Sequence, residues 1–80
     1  MSVAVAGDGR ILLQGDCPIE DAEALLRCLS DDPGALVDWN GCAHAHSAVI
    51  QVMLAIGPRV VGRPADPFLD RYVAACLRPA

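Results

Sequence analysis

The chain has 80 residues, a hydrophobic fraction of 54% and a net charge of −4, which bounds it to one small domain carrying more apolar side chain than its own interior covers. Its six basic residues are arginines scattered at 10, 27, 59, 63, 71 and 78, and aromatic residues are few, so nucleic-acid binding is not expected. The start, MSVAVAGDGR, has no positive segment ahead of a long apolar one, and no run approaches the length of a membrane span, so a cytoplasmic protein without direct membrane insertion is expected.

SVAVA, GDG and RILLQG read as a hairpin, two apolar runs around a glycine turn. CPIEDAEALLRCLSDDPG, residues 17–34, reads as a helix: Pro18 suits the first helical position and Glu20, Asp21 and Glu23 suit the positive end of the dipole. Ala22, Leu25, Leu26 and Leu29 share one apolar face, and Asp32-Pro33-Gly34 ends the helix. ALVDW, residues 35–39, reads as a central strand, NGCAHA as a loop, and SAVIQVMLAI, residues 47–56, as a second helix closed by Gly57-Pro58. Only Gln51 is polar inside that helix, a pattern that asks for cover on more than one side.

RVVG, residues 59–62, is another short strand. In residues 63–80, Asp66 suits an N-cap and Pro67 the first helical position, with Leu69, Tyr72, Val73, Cys76 and Leu77 at helical spacing. The order β-β-α-β-α-β-α predicts a single α/β domain over residues 1–80. It has a small mixed four-stranded sheet and three helices, with the first hairpin strand antiparallel to the others.

This order resembles the STAS domain, the fold of bacterial anti-sigma factor antagonists. RILLQGDCPIEDAEALLRCL resembles the family's first strand-helix unit, LVDWNGCAHAHSAVIQVMLA its central strand, loop and helix, and VVGRPADPFLDRYVAACL its last strand and helix. The resemblance covers nearly the whole chain by pattern. It implies a bacterial signal-transduction module that works by protein–protein interaction, with Ser47 at the family's phosphoacceptor position. The family's Asp before that serine is His46 here, its Gly two residues later is Val49, and the further strand and helix of many members are missing.

The resemblance also implies a partner of the anti-sigma factor or kinase type, or an ABC transporter subunit; a homodimer through the same surface is equally physical. The docking surface is expected on residues 40–47 and helix 47–56, with His46, Ser47, Val49, Ile50, Val52 and Met53 as its partner-binding residues.

Ser47 has two readings, a phosphoacceptor whose added dianion sits on a helix N-terminus, or a plain helix cap. Cys42, His44 and His46 have two as well. Alternate residues of an extended segment share a face and imidazole and thiolate suit zinc or copper, which makes a small metal- or ligand-binding protein the alternative function. Otherwise they are loop residues, one of them capping the helix.

No oxyanion motif or phosphate loop accompanies the Cys42–Ser47 cluster, and GDG is too short for one, so neither an enzyme nor a cofactor is expected. Asp38 is read as a turn-stabilising acid at a strand end. Cys28 and Cys76 are read as core thiols. Cys17 and Cys42 are expected near the surface, with Cys17 a candidate reactive thiol at a helix N-terminus.

Overall fold

Strands and helices alternate along the computed structural model, which describes residues 2–80. β1 (Val3–Val5) and β2 (Ile11–Cys17) form the expected antiparallel hairpin, Val3 opposite Leu13 and Val5 opposite Ile11. α1 (Glu20–Asp31) leads to β3 (Val37–Ala45), α2 (Ser47–Ile56) to β4 (Arg59–Val61). A π-type turn, Leu69–Val73, continues into a 3-10 turn, Ala74–Cys76; together they make α3. β5 (Arg78–Pro79) follows.

The sheet therefore has five strands in the order β1-β2-β3-β4-β5, not four. The third helix was expected to run towards residue 80. It stops at Cys76 because Leu77 takes an extended conformation and Pro79 cannot continue a helix, and Ala80 then donates its N–H to the Val60 carbonyl at 2.9 Å. A two-residue edge strand tolerates that proline.

β2 to β5 are parallel neighbours in chain order. Right-handed crossovers between such neighbours put every helix on the same face of the sheet. One core lies between them. Ile11, Leu13, Val37, Trp39 and Val60 come up from the strands, and Leu25, Leu29, Val49, Met53, Leu69 and Val73 come down from the helices. Leu12, Asp38 and Val61 stand side by side on the uncovered face and are only half buried.

The segment NGCAHA, expected as a loop, is the second half of β3. Its side-chain alternation is broken twice, where β2 residues 12–14 face β3 residues 38–41 and β2 residues 15–16 face β3 residues 42–44. Each shift inserts one extra residue into β3, a bulge that resets which face the following side chains take. Asp38 lies near the start of the strand rather than at its end, and its Oδ2 accepts from Arg10 Nη1 at 2.6 Å.

α1 begins at Glu20, two residues after Pro18, and keeps Glu20, Asp21 and Glu23 in its first turn. Leu25 and Leu29 are buried, but Leu26 is 46% exposed and faces the space beside α2. α2 ends as its sequence predicts: Gly57 takes φ +68 and returns its N–H to the Met53 carbonyl at 2.8 Å. Asp66 caps the start of α3, its Oδ1 accepting from Phe68 N at 2.7 Å.

Candidate functional site

The carboxyl ends of β2 and β3 and the first turns of α1 and α2 meet at one end of the sheet, where open α/β sheets place ligands. A surface cleft of about 380 Å³ opens there, lined by Asp16, Cys17, Ile19, Glu20, His44 and His46. Cys17, the last residue of β2, lines it, and the Cys17 carbonyl accepts from the His46 N–H at 2.8 Å.

His46 is the cap of α2. Its Nδ1 accepts from Ala48 N at 3.0 Å, in the place a cap serine's hydroxyl would occupy. The cap role expected of Ser47 thus belongs to His46. Ser47 is the first helical residue, exposed, and its hydroxyl makes no hydrogen bond among the described residues.

The Cys42, His44 and His46 set does not converge. The bulge between 42 and 44 sends the Cys42 side chain into the core while His44 stays exposed, and His46 spends one ring nitrogen on its own helix. Among the described residues no three His, Cys, Asp or Glu side chains gather to hold a metal ion. Alternation along a straight strand predicted a shared face; the two extra residues in β3, invisible in the residue pattern, remove it.

The thiols are redistributed as well. Cys17 and Cys42, expected near the surface, are 1% and 0% exposed, and their sulfurs stand 3.9 Å apart. Cys28 is half buried against the core, and Cys76, expected inside, is exposed. The Cys42 thiol, burial, and the negative charge of Asp21 together push the Cys17 thiol well above the ordinary cysteine range. Asp21 is itself 1% exposed, and its Oδ2 has no partner among the described residues.

The second surface feature is a groove of about 430 Å³ between α1 and α2, lined by Ala22, Leu26, Ala48, Val52, Ala55 and Ile56 with Glu23 and Gln51 at its border. Val49 and Met53, expected on the docking face, point the other way and anchor α2 in the core. The outward row of α2 is Gln51, Leu54, Ala55 and Ile56, with Ile50 and Val52 at its half-buried edges. Leu26 belongs to this surface and was placed inside by its helical spacing. Both sides of a helix packed against one neighbour carry apolar side chains, so spacing alone does not separate its core stripe from its exposed stripe.

No helix is long and apolar enough to cross a membrane. Comparison with protein-family models, with curated proteins and with solved structures gives no significant match to this chain.

Proposed function

We propose that the chain is a non-catalytic protein-interaction module of STAS type. It docks a protein partner through the outward face of α2 and the end of β3 that feeds it. The observation that carries this reading is the α1–α2 groove. Leu26 and Ile56 are 46% and 40% exposed on its two walls, Leu54 is exposed beside it, and α2 contains no charged residue. Apolar side chains presented together on neighbouring helices are what a partner's apolar surface covers.

The contact residues are His46, Ser47, Ile50 and Val52, extended by Leu26 and Ile56. By the STAS resemblance the partner is an anti-sigma factor or kinase, or an ABC transporter subunit; a second copy of the chain fits the same surface. Ser47 opens α2, next to the groove residue Ala48, and its exposed hydroxyl makes no hydrogen bond among the described residues. A phosphoryl group there adds a dianion to a helix that carries no charged residue and repels an apolar partner.

Pull-down from the native host with wild type, Leu26→Glu, Val52→Glu and Ser47→Asp tests the reading, with light scattering on each purified protein. The expected result is a partner, or a dimer, present for wild type and lost for the two groove variants, with Ser47→Asp weakened. Identical captured sets and identical masses for all four proteins would remove the proposal.

A further inference from the structure

We infer that Cys17 and Cys42 form a reversible intramolecular disulfide that stitches β2 to β3 at the cleft and shifts the start of α2. The pair is the one place where two thiols meet, with sulfurs 3.9 Å apart on adjacent parallel strands, where Gly15 is paired with Cys42 and Cys17 with Ala45. A disulfide needs about 2.05 Å, so closure draws the sulfurs together by about 2 Å. Cys17 lines the cleft yet is only 1% exposed, so a small oxidant reaches its sulfur when the cleft wall opens, while Cys42 lies behind it in the core.

The oxidant is a small peroxide. The Cys17 sulfur attacks one peroxide oxygen, the O–O bond breaks, and the departing hydroxide takes the thiol proton and leaves as water. Cys42 then displaces hydroxide from the Cys17 sulfenic acid; the S–S bond forms, and the Cys42 proton leaves in a second water. Two thiols lose two electrons to one peroxide. Burial and the protonated state of Cys17 make the reaction slow, on the order of minutes to hours.

Both sulfurs are coupled to the connection that leads into α2. The Cys42 thiol lies 3.7 Å from the His44 carbonyl, and the Cys17 carbonyl accepts from the His46 N–H at 2.8 Å. Closure therefore strains both hydrogen-bonded ends of residues 42–46 and re-aims the His46 cap. This does not depend on what, if anything, docks on α2.

The test uses the full chain as a Cys28→Ser/Cys76→Ser variant, which leaves only the inferred pair and removes the exposed thiol. The reduced, folded protein is treated with hydrogen peroxide, quenched, denatured, alkylated with N-ethylmaleimide and weighed. The expected product has lost two hydrogen atoms, takes up no alkylating agent, yields one Cys17–Cys42 cross-linked peptide, and returns to the dithiol with dithiothreitol. Two alkylated thiols, or added oxygen without a cross-link, would overturn the disulfide. Backbone amide spectra before and after oxidation read the second half. Shifts concentrated at residues 15–18 and 42–48 are expected, and unchanged His46 and Ser47 amides would overturn the coupling to α2.

Discussion

Trp39 donates its indole Nε1–H to the Gly62 carbonyl at 3.1 Å, and Gly62 turns at φ +81 against Asn40, tying the middle of β3 to the exit of β4. A Cβ built on Gly62 would stand 2.7 Å from Asn40 Cβ. Gly62→Ala therefore meets both an unfavourable backbone conformation and a clash, and is expected to cost about 1–3 kcal/mol in urea unfolding. Trp39→Phe keeps most of the buried ring and removes the donor, for about 1 kcal/mol. A neutral Gly62→Ala would mean that the turn relaxes freely.

Asp21 is the opposite case, a side chain whose surroundings do not suit it. It sits in the first turn of α1, where the helix dipole favours a carboxylate, yet it is buried with one oxygen unpartnered among the described residues. Asp21→Ala removes that oxygen at a small loss of dipole energy. The expected outcome is a neutral to stabilising change, up to about 1–2 kcal/mol, seen as a higher thermal midpoint. A loss of more than about 1 kcal/mol would show that Asp21 has a structural partner.

The elements with strong punctuation were legible in the sequence. GDG placed the hairpin, Asp32-Pro33-Gly34 and Gly57-Pro58 closed their helices, and Asp66 began α3. What stayed hidden was set by pairing between distant segments. The two β3 bulges depend on β2 as a partner, and they decide that Cys42 goes inside and His44 outside. β5 has two residues and exists because β4 offers an edge. The candidate site was legible as a place, the junction at 42–49, and not as an arrangement. His46 rather than Ser47 caps α2, and the nearest chemical neighbour of Cys42 is Cys17, twenty-five positions away.

Alkaline pH reports on that thiol pair. The hydrogen bond with Cys42, burial and the Asp21 charge raise the Cys17 pKa in the folded state above its ordinary value of 9.0. Between the ordinary and the raised value the unfolded chain holds fewer protons than the folded one, so stability falls as pH rises. The contribution is fully present below about pH 9 and is lost progressively above it. Thermal midpoints of the reduced protein from about pH 7 to 10.5 are expected to decline in the upper part of that range, with a flatter profile for Cys17→Ala. Parallel profiles would place the alkaline loss elsewhere.

The two faces of α2 separate stability from recognition. Met53 is buried in the core, and Met53→Ala opens a cavity that the sheet beneath cannot fill, for an expected cost of about 2–5 kcal/mol in urea unfolding. Ile56 lies three residues further on, one turn of the helix along and rotated onto the groove, 40% exposed. Ile56→Lys keeps its aliphatic stem against the neighbouring apolar surface and carries its charge into water, so stability is expected to change by no more than about 0.5 kcal/mol. On the interaction reading, the same Ile56→Lys protein loses its partner or dimer while its unfolding midpoint stays near wild type. A large drop in stability for Ile56→Lys would instead make the α1–α2 groove part of the domain's own packing, leaving nothing there for another protein to cover.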